Sequence, residues 1–199
     1  MTHARAFVGL GSNEGDPLAH LTAALAALDE GPVRVAAAGR LAFSAYVGAP
    51  AGTLPPRVLN TVAEVRTSLA PEALLDHLQA IEAARGRVRD GRPTRALDLD
   101  LLAYEDVVRD TPDLVLPHPR ATQRAFVLEP WTEVAPLYRL PGSDATVVEH
   151  LATLARDDAA QIQGLEHVAH PPYADRGAAC LVLDDFAALT AWRDAQEGT

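Results

Sequence analysis

Leu97–Asp98–Leu99–Asp100–Leu101 alternates apolar and acidic residues with a period of two. Successive side chains leave a β-strand on opposite faces, so an extended strand separates the two kinds of residue cleanly. The leucines then belong to a core and both aspartates to the other face, with Cα atoms about 6–7 Å apart from the strand rise. A strand from Ala96 to Tyr104 follows, and its leucine side needs a cover.

The segments before it supply that cover in a regular order. Arg5 to Gly11 reads as a short buried strand ending in a glycine turn. Asp16 then offers an N-cap with Pro17 at the first helical position. Leu18, Leu21, Leu25 and Leu28 form one apolar stripe, and Gly31–Pro32 ends the helix. Val33 to Tyr46 is strand-like, Val47 to Pro56 is a Gly/Pro-rich loop, and Val58 to Thr67 is the next strand. Pro71 opens a second helix with Leu74, Leu75, Leu78 and Ile81 on its buried face and Gly86 as C-cap. An arginine-rich loop from Arg87 to Arg95 leads into the Asp strand. The order predicts an α+β chain with a ferredoxin-like βαββαβ core, its mostly antiparallel sheet carrying helices on one face.

Beyond this core, Ala121 to Leu128 and Thr146 to Ala155 read as helices, and Pro171–Pro172 reads as a hinge. Cys180 to Leu183 reads as a strand, and Phe186, Leu189 and Trp192 line one side of a final helix. We expect a catalytic unit over residues 1–168 and a C-terminal extension over 169–199.

Composition narrows the chemistry. The net charge is −10, which argues against a nucleic-acid partner, since a phosphate backbone calls for a basic surface. All 17 basic residues are arginines, so P-loop and Schiff-base lysine chemistry are excluded. Cys180 is the sole cysteine, pointing to a reduced, cytoplasmic setting. No apolar run reaches the roughly 20 residues that a membrane span needs.

The aspartate pair suits a hard cation shared with phosphate oxygens, because magnesium takes oxygen ligands and keeps some of its waters. Arg85, Arg87, Arg89, Arg92 and Arg95 crowd the approach to that pair in an otherwise acidic chain. Arginine forks match phosphate oxygens and stabilise charge on a transferring phosphoryl group. Gln79 and Glu82 share a helix face just before the loop and could meet a nucleotide base or sugar, or form a mere surface pair. His118, fixed between Pro117 and Pro119 and followed by Arg120 and Arg124, could contact a phosphate or be structural. The other histidines lack zinc-ligand spacing. Gly9–Leu10–Gly11 is too short for a dinucleotide fingerprint.

VGLGSNEGDP, LNTVAEVRTSLAPEALLDHLQAIEAARGRVR, ALDLDLLAY and LPHPRATQRAFVLEPWTEVAP, in this order, resemble the hydroxymethyl-dihydropterin pyrophosphokinase family over roughly residues 5–160. The resemblance implies transfer of diphosphate from ATP to a pterin alcohol in folate biosynthesis, with AMP leaving. It implies that Asp98 and Asp100 hold two Mg2+ ions, with Arg87 and Arg95 acting in catalysis. It implies an ATP site of Leu75, Gln79, Glu82, Arg87, Arg89, His118 and Arg124, and a pterin site of Gly48, Pro50, Asn60 and Phe126. The chain departs from the family pattern in its shorter Gly91–Ala96 stretch without tryptophan, in Gly48 and in Val58. Those departures fall mainly on the acceptor side, so transfer to another acceptor and nucleotide binding without transfer are the competing readings. A monomer or a homodimer is expected.

Overall fold

The computed structural model describes residues 3–47, 52, 54–86, 95–168 and 180–181. Strand β1 (Ala4–Ser12) leads to helix α1 (Pro17–Leu28). Asp16 caps α1 by accepting the Ala19 N–H at 3.0 Å, and Leu21, Ala24, Leu25 and Leu28 are its buried stripe. Gly31 closes the exit at φ +61°, a conformation that costs glycine little. Strands β2 (Val33–Gly39), β3 (Ala42–Ala45) and β4 (Arg57–Thr67) follow. Helix α2 (Pro71–Ala84) starts on Pro71, ends before Gly86, and precedes β5 (Asp98–Tyr104).

Among the described residues, the sheet runs β5–β1–β4–β2, with β3 also on β4, and every pairing is antiparallel. The βαββαβ expectation holds with two differences. What reads in sequence as one strand from Val33 to Tyr46 is two, broken at Arg40–Leu41. A Cβ on Gly39 would stand 2.4 Å from the Pro130 carbonyl oxygen, so the backbone bends where another element presses on it.

That element accounts for the second difference. Beyond the small hairpin β6 (Arg109–Asp110) and β7 (Val115–Leu116) comes a 3₁₀ turn (Ala121–Gln123), then helix α3 (Ala125–Val134). The sequence predicts a helix over Ala121–Leu128. Instead α3 begins later and runs through Pro130, because Val127, Leu128 and Trp131 are buried on the sheet and that packing outweighs the missing N–H. Helices therefore cover both faces: α1 and α2 pack on one, α3 on the other. The first core joins Leu21, Leu25, Leu74 and Leu78 to Val8, Leu10, Leu99 and Leu101. The second gathers Phe7, Val62, Leu102 and Trp131, with the Phe7 and Trp131 rings 5.2 Å apart. Strand β4, between them, is buried from Leu59 to Val65.

Helix α4 (Val147–Asp157) packs on α3 and begins with a capping box in which Thr146 and Glu149 satisfy each other's backbone N–H. Helix α5 (Ala159–Gln163) and strand β8 (Glu166–His167) follow, and β8 pairs with β3. Strand β9 (Cys180–Leu181) pairs with β2, so a short part of the expected strand at Cys180–Leu183 is present in the sheet. Pro171–Pro172 and the helix expected at Phe186–Trp192 lie outside the described residues. Among the described residues, no helix is long and apolar enough to cross a membrane.

Candidate active site

Two transverse rows of the sheet build the site. Gly11 in β1 is paired with Asn60 of β4 on one side and Asp98 of β5 on the other. Two residues back, Gly9 is paired with Val62 and Asp100 in the same manner. Directly paired residues share a face, so Asn60, Asp98 and Asp100 all point to the α3 side, away from α1 and α2. The residues between them carry no side chain. A Cβ at Gly11 would stand 3.4 Å from Asn60 Oδ1, and one at Gly9 would stand 3.4 Å from the Leu102 side chain. Glycine thus forms the floor of a cavity of about 230 Å³, walled by β5 on one side and by β4 on the other. Two strand spacings put Asn60 and Asp98 about 10 Å apart.

The β5 wall is charged. Arg95 Nη1 donates to Asp98 Oδ2 at 2.5 Å, with Arg95 and Asp98 side chains 38% and 24% exposed, so the pair is open to an incoming ligand. Arg120 and Arg124 also line the cavity. Burial pulls the Arg124 pKa below the ordinary arginine value; Arg120 adds to that shift, and Asp100 and Asp98 oppose it. The guanidinium stays charged at neutral pH. His118 donates its backbone N–H to the Leu102 carbonyl at 2.8 Å, which lays it alongside β5. Burial lowers its pKa, Arg124 and Arg120 add to the effect, and Asp100 opposes it. Its Nδ1 accepts the Arg120 N–H at 3.2 Å, so the neutral ring carries its proton on Nε2.

The start of β5 is anchored by a signal that periodicity did not disclose. Ser12 Oγ donates to the Ala96 carbonyl at 2.6 Å, and Asn13 accepts the Arg95 N–H through Oδ1 at 2.6 Å. The Gly-Ser-Asn end of β1 thereby fixes the backbone from which Arg95 and Asp98 project. Glu82 is only 2% exposed and accepts the Leu99 N–H at 2.7 Å, between the two aspartates. Gln79, one turn earlier, is exposed, so the two residues occupy different environments.

The β4 wall is neutral. Asn60 is 5% exposed, and its Nδ2 donates to the Val58 carbonyl at 2.8 Å, Ser44 Oγ at 3.0 Å and the Ala42 carbonyl at 3.4 Å. Three acceptors fix the amide's orientation and leave Oδ1 over Gly11, facing the cavity. Phe126 closes this side, with the Arg124 guanidinium 5.6 Å from its ring centre.

Of the residues singled out in the sequence, Arg95, Asp98, Asp100, Arg124, Asn60 and Phe126 line this cavity, and His118 flanks it. Leu75, Gln79 and Glu82 lie on α2, across the sheet from the aspartate side chains. Gly48, Pro50, Arg87 and Arg89 lie outside the described residues. Among the described residues, no three His, Cys, Asp or Glu side chains gather into a cage for a metal. Two carboxylates are what a magnesium ion uses when the substrate's phosphates supply further ligands, and the donor set fits that mode.

The family model for 7,8-dihydro-6-hydroxymethylpterin-pyrophosphokinase (HPPK) matches residues 7–136. The chain is 45% identical over 140 residues to the 2-amino-4-hydroxy-6-hydroxymethyldihydropteridine pyrophosphokinase of Pseudomonas aeruginosa, covering 69% of this chain and 84% of that one. It is 42% identical over 153 residues to the enzyme of the same name from Methylorubrum extorquens, covering 75% and 93%. An HPPK-DHPS structure in complex with substrates superposes with a TM-score of 0.65 at 11% identity, over 84% of this chain and 47% of that one. A Plasmodium falciparum HPPK-DHPS gives 0.67 at 12%, over 84% and 49%. The chain spans about half the length of those structures, and at such identity they speak for the fold alone. The chain belongs to the HPPK family.

Proposed function

We propose that this member of the HPPK family transfers diphosphate from ATP to 6-hydroxymethyl-7,8-dihydropterin, releasing AMP. One observation carries the reading: Asn60 and Asp98 flank the same glycine in one row of the sheet, with open floor between them. A flat ring whose edge donates to Asn60 Oδ1 can lie on that floor with a hydroxymethyl arm reaching the Asp98–Asp100 wall.

ATP is the co-substrate. Its polyphosphate meets Arg95 and Arg124, and its adenosine passes round the edge of β5 toward Leu75 and Gln79 on α2. Asp98 and Asp100 would hold magnesium, in our reading two ions, which would screen the phosphate charge and polarise the phosphorus under attack. The pterin oxygen bonds to the β-phosphorus as the bond from that phosphorus to the bridging oxygen breaks, so AMP leaves with that oxygen. The hydroxyl proton goes to solvent or to a phosphate oxygen; a loose phosphoryl-like transition state depends on positioning and charge neutralisation more than on a strong base. Arg95 and Arg124 supply that charge, and Arg87 and Arg89, which the resemblance implies for the ATP site, would add to it. Neutral His118, with its proton on Nε2, is a donor for phosphate.

Every residue assigned here comes from one chain, so a monomer and a homodimer serve equally. We take residues 1–168 as the catalytic unit and a reduced cytoplasm as its setting. Incubation with ATP, Mg2+ and hydroxymethyldihydropterin tests the reading: AMP and the pterin diphosphate are expected in equal amounts. AMP formed only with a different acceptor, or ATP bound without AMP from any acceptor, would overturn it.

A further inference from the structure

Strand β3 is only four residues long, yet it supplies two of the three acceptors that orient Asn60: the Ala42 carbonyl and the Ser44 hydroxyl. One side of β3 is paired with β4, Ala42 facing Asn60 itself. The other side is paired with β8, where His167 faces Ala42 and Glu166 faces Phe43. The Val168 N–H extends this ladder by donating to the Leu41 carbonyl at 3.0 Å, and its side chain is partly buried against the first core.

Further contacts tie the same C-terminal stretch to the cavity's surroundings. Glu166 pairs with Arg57 at 2.5 Å, and the Arg57 guanidinium stands 4.3 Å from the Phe43 ring centre. His167 Nε2 reaches Glu129 on α3 at 3.2 Å. Gln161 Oε1 accepts the N–H of Ala125 at 3.2 Å, between the cavity residues Arg124 and Phe126. Exposed ion pairs contribute little, and Arg57 and Glu166 are 53% and 70% exposed. The backbone ladder and the seating of Val168 are the stronger elements.

We propose that Glu166–Val168 is a positioning element for the acceptor side of the site, holding β3 so that Asn60 keeps its amino group turned inward and its oxygen toward the cavity. This stretch lies beyond the residues matched by the family model. The proposal rests on Asn60 reading the acceptor, as set out above. It separates two properties that a general loss of stability would move together: acceptor binding depends on β8, and ATP binding does not.

The test uses the full chain carrying Val168→Pro, which removes the donor to Leu41. A milder Glu166→Gly/His167→Gly variant keeps every N–H and weakens the strand through its flexibility. Steady-state kinetics should show the pterin KM raised about fivefold, the size of one net hydrogen bond, with kcat and the ATP KM within about twofold. The Asn60 side-chain amide protons, followed by NMR in labelled protein, should exchange faster with solvent. An unchanged pterin KM with unchanged Asn60 exchange overturns the proposal, and so does a parallel rise of both KM values. Should the proline variant not fold, the glycine variant decides on the same readouts. If the wild type makes no AMP with the pterin, the functional reading fails, and Asn60 exchange alone judges the positioning role: faster supports it, unchanged overturns it.

Discussion

The two walls of the cavity stand one strand either side of the same glycines, yet they are made differently. On β5, charges face one another across half-open side chains: Arg95 against Asp98, with Arg124 feeling both aspartates. On β4, a buried neutral amide has its donors committed to β3 and its own backbone. Charged groups with partial access can exchange protein partners for ligand phosphates. A buried amide whose donors are taken presents one fixed acceptor. On the function proposed above, the first wall responds to a ligand and the second selects one, so damage to them should register in different kinetic constants.

The largest effect should come from Asp98→Ala or Asp100→Ala. Each should lower kcat by about 10³-fold or more, since charge stabilisation at the transferring group is lost. Circular dichroism and the thermal midpoint should stay close to wild type, because these side chains are outside both cores. A large drop in midpoint would break the contrast by making β5 a structural wall as well.

Asn60→Ala comes next. It leaves the Ser44 and Ala42 acceptors facing a void and removes the ligand's acceptor, so the pterin KM should rise about 10- to 100-fold, from the cost of unpaired buried polar groups. The ATP KM should move far less. Equal loss in both constants would show that the walls are not separable.

Glu82→Ala probes what holds the responsive wall in place. Removing a buried acceptor from the Leu99 N–H should cost about 1–3 kcal/mol in urea unfolding, with a smaller fall in kcat. Glu82→Gln, which keeps an acceptor oxygen, should recover most of both. If glutamine behaves like alanine, the residue's charge matters more than its hydrogen bond.

The smallest effect concerns pH. His118 has its pKa lowered chiefly by burial, so its contribution to stability is full above the unfolded value near 6.5 and lost as pH falls through the lower folded value. Between about pH 7.5 and pH 5, wild type should lose more stability than His118→Gln in paired urea titrations. An equal loss in both proteins would remove histidine from the account.

Much of this was readable from residues alone. The Asp16–Pro17 cap, Pro71 and Gly86 are local signals, and the helices begin and end on them. The period of two placed Asp98 and Asp100 together because alternation is also local. The second helical layer was hidden for two reasons: β4 mixes Asn60, Thr61 and Glu64 into a fully buried run, and Pro130 looks like a stop when packing lets α3 run through it. Gly9 and Gly11 carried a signal of a different kind. Their meaning is an absent side chain, and that becomes visible only when the register of three strands places Asn60 and Asp98 on either side. Glu82 stands out in the sequence beside Gln79, but its burial and its bond to Leu99 depend on how α2 packs against β5.

That bond has a consequence for how copies of the molecule treat one another in solution. Among the described residues β5 is the last strand of its sheet on that side, and a last strand offers unpaired backbone groups on which another chain's strand can dock and aggregate. Here the outward N–H of Leu99 is already taken by a buried carboxylate and the Leu102 carbonyl by the His118 N–H. The strand that carries the acidic pair can present its carboxylates on one face and still give a neighbouring strand poor purchase, which would let an edge hold the proposed site without becoming a seam for fibres.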